Sequence, residues 1–182
     1  VAGENLWSKA QKDAVYHLGR YTRYREEADW AGYESAITVI NGDRLARIEL
    51  EKATPDLAVA RRGLIQGGNH PADVDPMIWL FRTFRNHEQI SHAIEVWTQA
   101  DAHMEELDRI ARKVRGAVER GNPGSIDLMA TLQHINRLNN ILNTLEREFS
   151  STLGEAQRDT QKKLLWSFML LAGVLLAVAI YV

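Results

Sequence analysis

Residues 125–182 read SIDLMATLQHINRLNNILNTLEREFSSTLGEAQRDTQKKLLWSFMLLAGVLLAVAIYV. Leu128, Leu132, Ile135, Leu138, Leu142, Leu145, Phe149 and Leu153 recur at steps of three and four, which traces one apolar face of an amphipathic helix. Leu128, Ile135, Leu142, Phe149 and Ala156 repeat every seven residues, with Leu138 and Leu145 between them. That spacing favours left-handed, coiled-coil-like packing. Leu164 to Val182 carries no charge, and its only hydroxyls are Ser167 and Tyr181. At about 1.5 Å per residue it spans ~28 Å, close to the hydrocarbon core of a bilayer. Trp166 and Tyr181 stand near its ends, where an aromatic belt would place them. The expectation is a transmembrane helix over 164–182; the other reading is a buried core helix. No proline separates the two parts, and Gly154 is a weak breaker at ~1 kcal/mol relative to Ala. The spacing therefore predicts one helix over 125–182, about 87 Å long.

Helical periodicity also runs through the rest of the chain. Trp7, Ala10, Ala14, Leu18 and Tyr21 form one stripe; Tyr33, Ile37, Ile40, Leu45 and Ile48 form a second. Ile90, Ile94, Trp97, Met104, Leu107, Ala111, Val114 and Val118 form a third, and sustained strand alternation is absent. Thr54-Pro55 and Asp75-Pro76 read as cap-then-proline helix starts. Gly67-Gly68-Asn69-His70-Pro71 reads as a break. Gly121-Asn122-Pro123-Gly124 reads as a turn, with Ser125 capping the last helix. Helices are expected near 4–28, 30–52, 56–66, 76–86, 88–120 and 125–182. The fold class is all-α: an elongated, four-helix-bundle-like domain over 1–163 with two short extra helices, its last helix continuous with the membrane span.

The 182 residues include 22 Lys+Arg and 24 Asp+Glu, a net charge of −2. A nucleic-acid binder usually carries a basic surplus on one face, so nucleic acid is not expected as a partner. With no cysteine, disulfides, thiol catalysis and thiolate zinc sites are excluded. The chain begins at Val1 rather than Met and stops inside its apolar run, so it reads as a piece of a longer protein.

Enzyme signatures are missing. There is no G-x-x-x-x-G-K-[ST], no G-x-S-x-G and no H-E-x-x-H, and the Gly67-Gly68 pair lacks phosphate-loop spacing. No catalytic residue and no cofactor is expected. Glu88, His92 and Glu95 share a helix face near His87 and His103, but a solvated charged face is the preferred reading over a metal site.

The segment 67–86, GGNHPADVDPMIWLFRTFRN, holds the more informative pattern. An apolar run at Met77–Phe81 is followed by Arg82 and Arg85. Asn41-Gly42-Asp43-Arg44 interrupts the second stripe, and Asp101 falls where the third expects an apolar residue. A buried carboxylate needs a partner, and arginine is the natural one. The candidate ligand-binding residues are Arg44, His70, Trp79, Arg82, Arg85, Trp97 and Asp101. In this pattern an arginine holds a small anionic molecule and Trp79 or Trp97 supplies an apolar wall. An internal Asp–Arg bridge with aromatic core packing is the other reading. Asn136, Asn139, Asn140 and Asn143 cluster on the last helix, where polar residues near a seam can fix register; a solvated helix face is the other reading.

The segments GENLWSKAQKDAVYHLGRY (3–21), NGDRLARIELEKATPDLAVARRGLIQGGNHPADVDPMIWLFRTFR (41–85) and EREFSSTLGEAQRD (146–159) give the chain a recognisable layout. It resembles the extracytoplasmic helical sensor domain of bacterial transmembrane signal transducers: sensor histidine kinases of two-component systems, diguanylate cyclases or phosphodiesterases, and chemoreceptors. The resemblance implies a homodimer at the inner (cytoplasmic) membrane, with residues 1–163 in the periplasm. It also implies a last helix that feeds a cytoplasmic kinase or cyclic-di-GMP enzyme. Arg158, Lys162 and Lys163 point the other way, because positive residues favour the cytoplasmic flank of a span. They keep open a cytoplasmic, tail-anchored helical interaction protein.

Overall fold

The computed structural model describes residues 2–181, with side chains described for residues 6–155 and 158. Six α-helices follow one another: α1 (Ala2–Tyr24), α2 (Glu27–Glu51), α3 (Leu57–Gln66), α4 (Pro71–Phe84), α5 (Glu88–Glu119) and α6 (Leu128–Tyr181), with a short 3₁₀ turn at Pro123–Ser125 before the last. The described residues contain no strand, so the fold is all-α, as the periodicity predicts. Among the described residues no helix is long and apolar enough to cross a membrane. The stretch 164–182, read from sequence as a membrane span, lies outside the residues whose side chains are described.

Four helices share one core. Ala10, Ala14 and Leu18 of α1 meet Tyr33, Ile37 and Ile40 of α2, Val96, Met104 and Leu107 of α5, and Ile135, Leu138 and Leu142 of α6. A second, smaller core joins Ala46 and Leu50 of α2 to Ala60 and Leu64 of α3 and Val74 and Ile78 of α4. The two short helices thus pack on the C-terminal half of α2 and leave the main core to the four long ones.

Several expected boundaries move. The chain reverses at Arg25-Glu26 rather than near 29, with Arg25 at φ 60° and its N–H on Tyr21 O. Asp29 then sits inside α2, buried and bound by Arg20 Nε at 2.8 Å and His17 at 3.2 Å. Asp56, not Thr54, caps α3, accepting from the N–H groups of Ala58 and Val59. His70 caps α4 through Nδ1 and Pro71 takes the first position, so Asp75-Pro76 is not a helix start. Pro76 lies inside α4, and its missing N–H removes the bond that would reach Ala72 O. Asp127 replaces Ser125 as the cap of α6, accepting from Ala130 N at 2.9 Å.

The stripes also shift. Leu45, Ile48 and Leu128 are about 40% exposed. The buried seam of α2 is Tyr33, Ala36, Ile40, Asp43, Arg47 and Leu50, an alternation of three- and four-residue steps. The upper seam of α5 is Ala93, Val96 and Ala100, one step round from Ile94 and Trp97. Following apolar residue type alone leads off both seams, because two seam positions of α2 are charged and those of upper α5 are small.

Candidate functional site

All the helices and the loop after α3 contribute to a cavity of about 200 Å³. Asp43 comes from α2, and Leu64, Asn69 and Met77 come from α3, the loop after it and α4. Trp7 of α1, Val96, Trp97 and Ala100 of α5, and Leu145, Glu146, Phe149 and Leu153 of α6 complete the wall. Trp97 and Phe149 meet edge to face with centroids 6.2 Å apart. The lining is almost wholly apolar; its polar members are Asp43, Asn69 and Glu146.

Backbone chemistry places Asp43 and Asn69. At the end of α3, Gly68 adopts φ +85°, a conformation that favours glycine. This lets Gly68 N–H reach Ile65 O and Asn69 N–H reach Leu64 O, the paired bonds of a Schellman cap. Asn69 is thereby folded under α3, where Nδ2 donates to Leu64 O at 2.9 Å and to Asp43 Oδ1 at 3.2 Å. The carboxyl of Asp43 occupies the space a Cβ on Gly67 would need. A Cβ on Gly42 would lie 2.6 Å from Gly67 N, and one on Gly63 would lie 2.7 Å from Gly42 O. Helices α2 and α3 therefore touch backbone to backbone directly beneath the cavity.

Asp43 is 4% exposed, and among the described residues no cation pairs with it. Burial pushes its pKa up to about 7; the Asn69 hydrogen bond opposes this, and the charge of Asp101 adds to it. Two other lining residues, Trp7 and Trp97, have buried indole N–H groups without a hydrogen-bond partner among the described residues. Glu146, by contrast, is satisfied: Ser8 Oγ donates to it and Lys12 Nζ lies 3.1 Å away.

The candidates predicted from sequence are spread across the molecule. Trp97 lines the cavity. Arg44 and Asp101 lie together in a separate cleft of about 320 Å³ between α2 and α5, where Arg44 pairs with Glu105 and Arg112 with Asp108. Asp101 has the arginine partner that its position demanded, but that partner is Arg47, through Nη2 at 2.6 Å and Nε at 3.1 Å. Both side chains are about 5% exposed. Burial works against the Arg47 charge, but the bonds to Asp101 and Glu51 hold its pKa above the ordinary value. Arg47 also lies 6.0 Å from the Trp97 ring centroid and so backs the cavity wall. Arg85 donates to Leu50 O at 2.8 Å and Glu51 O at 3.1 Å, closing the end of α2. Trp79 is 62% exposed, Arg82 is exposed, and His70 serves as the α4 cap. None of Arg44, Arg82, Arg85, His70 and Trp79 reaches the apolar cavity.

Asp43, which lines the cavity, and Arg47, which backs its wall, are not among the candidates predicted from sequence. A usable signal exists: both continue the three-four spacing that starts at Tyr33, Ala36 and Ile40. His92 contacts Glu148 at 3.2 Å, and among the described residues no three acidic or histidine side chains converge on a metal position. Asn139 accepts from Gln11 Nε2 at 3.1 Å in the α1–α6 seam; Asn136 and Asn140 are exposed. Comparison with described families, curated proteins and solved structures finds no match to this chain.

Proposed function

We propose that residues 1–163 form a four-helix-bundle-like sensor domain of a bacterial membrane receptor. In this reading the domain lies in the periplasm as a homodimer, and 164–182 cross the inner membrane. A small molecule in the cavity shifts α6, and the shift passes along the helix to a cytoplasmic kinase or cyclic-di-GMP enzyme. One observation carries the reading. Leu145, Glu146, Phe149 and Leu153, four of the cavity's wall residues, all belong to α6. An occupant of the cavity therefore touches the helix that leads toward the apolar stretch. Its opposing wall residue on α1 is Trp7, across a seam held by Gln11–Asn139 and by the Ser8–Glu146–Lys12 group. In this reading the polar seam has a second packing close in energy to the one observed. A ligand can bias such a pair of states only if it binds one better than the other.

Topology tests this. Ser125 sits in the exposed turn before α6 and the chain has no native cysteine, so Ser125→Cys gives a single probe. A membrane-impermeant thiol reagent should label it in intact cells. Labelling only after lysis would place the helices in the cytoplasm. That outcome sinks the periplasmic sensor in favour of a tail-anchored interaction protein, the arrangement suggested by Arg158, Lys162 and Lys163.

A further inference from the structure

We infer that the cavity between α1, α5 and α6 takes a small apolar molecule bearing an ammonium group, with Asp43 as its counter-ion and Trp7, Trp97 and Phe149 around its body. The inference rests on the sensor reading above and names the ligand class of the same site. It reverses the charge expected from the sequence, where an arginine was to hold an anion.

The charge inventory decides the sign. Groups near the cavity are Asp43, Glu146 with Lys12, and the Asp101–Arg47 pair behind Trp97. Lys12 and Arg47 are each engaged with a carboxylate, whereas among the described residues Asp43 has only the neutral Asn69. A carboxyl almost wholly removed from solvent and unmatched by a cation is costly to ionise. A bound ammonium ion would supply the missing charge, and its arrival would release the proton that burial holds on Asp43 near neutral pH. Aromatic faces attract the same kind of cation, most strongly where water is excluded. At about 200 Å³ the cavity is smaller than the usual ~300–1,000 Å³ ligand cleft, so the molecule is small. The apolar lining disfavours a bare metal ion, which would need several oxygen ligands where the cavity offers Asp43 alone unpaired.

Three probes of one shape separate the possibilities: phenylethylammonium, 2-phenylethanol and phenylacetate. Each is titrated calorimetrically into the full chain in detergent. The ammonium ion should bind, the alcohol should bind roughly tenfold or more weakly, and phenylacetate should not bind. Asp43→Asn should remove the preference for the ammonium ion over the alcohol. Met77→Trp, which adds bulk inside the cavity and leaves the Asp43 carboxyl in place, should abolish binding and serves if Asp43→Asn does not fold. Binding of phenylacetate as tight as that of the ammonium ion, survival of the ammonium preference in Asp43→Asn, survival of ammonium binding in Met77→Trp, or binding of none of the three overturns the inference. Spin labels on Lys9→Cys and Arg147→Cys, one exposed residue on each of α1 and α6, read the sensing step separately. Ammonium binding with an unchanged label distance leaves the cation site standing and sinks the sensor. A distance that responds to phenylacetate alone does the reverse.

Discussion

Arg47 grips Asp101 through two guanidinium nitrogens, at 2.6 and 3.1 Å, and joins α2 to α5 at a level where the neighbouring seam residues of α5 are apolar or small. The pair stands where a coiled-coil seam would place two hydrocarbons. Removing one partner leaves the other charged and buried. Arg47→Met should therefore destabilise the protein by about 3–5 kcal/mol, while Arg47→Met combined with Asp101→Leu should recover most of that loss. Urea midpoints of the single and double variants check this, and a double variant as weak as the single would contradict it.

Asp43 gives a pH signature of opposite sign to that of a salt-bridged carboxylate. Its folded-state pKa of about 7 lies above the unfolded value of 3.8, so between these pH values the folded chain holds the proton better. The Asp43 contribution to stability must fall as pH rises from about 4 to 7, by roughly 4 kcal/mol at ~1.4 kcal/mol per pH unit. Asp29 and Glu49, both held below the ordinary carboxylate range by their cation partners, contribute the opposite slope. Comparison with Asp43→Asn isolates the one from the other. The variant should gain stability relative to the parent as pH goes from 5 to 8, and a constant difference across that range would refute the assignment.

Two glycines in helices should respond in opposite directions to alanine. A Cβ on Gly19 meets nothing within 4 Å, so Gly19→Ala should stabilise by about 0.5–1 kcal/mol. A Cβ on Gly63 would lie 2.7 Å from Gly42 O and 2.8 Å from Ala46 N, both backbone atoms. Gly63→Ala should cost ~1–3 kcal/mol despite the better helix propensity. Thermal melts of the two variants should shift apart in sign.

The core of α6 can be mapped by truncating one leucine at a time. Leu142 is fully buried, and Leu142→Ala should cost about 2–5 kcal/mol. Leu128, at the start of the same heptad series, is 41% exposed, and Leu128→Ala should change stability by no more than ~0.5 kcal/mol. Similar losses from both would restore Leu128 to the buried stripe.

The long helices were legible because their cores are ordinary: Ala10, Ala14, Leu18 and Leu132 to Leu145 follow the helical period with apolar residues. The first half of α2 was read correctly at Tyr33, Ile37 and Ile40, but its second half was read one face away because the seam there carries Asp43 and Arg47, and a search that scores only hydrophobicity steps past them to Leu45 and Ile48. The arginine partner of Asp101 was anticipated as a type but not as a position, since 54 residues separate Arg47 from Asp101. Of the candidate residues only Trp97 lines the cavity, although the segments 41–44 and 67–86 that held the informative pattern do supply Asp43, Asn69 and Met77. Its polar pair depends on the reversal at Gly68, which swings Asn69 beneath α3, and no local pattern announces which distant carboxylate an asparagine will meet.

The backbone contact of Gly42 with Gly63 has a mechanical consequence. Where carbonyls and amides of two helices already touch, neither helix can yield without breaking that contact, so the side of the cavity holding Asp43 and Asn69 behaves as a fixed jaw. The opposite side is closed by Trp7, Phe149 and Leu153, and the helices that carry them meet through the side-chain pairs Gln11–Asn139 and Ser8–Glu146 rather than backbone to backbone. In the proposed sensor, any difference in the bulk of a molecule held between the two sides would be absorbed on the α1–α6 side, and the site would act as a caliper that reads molecular size as a displacement of α6.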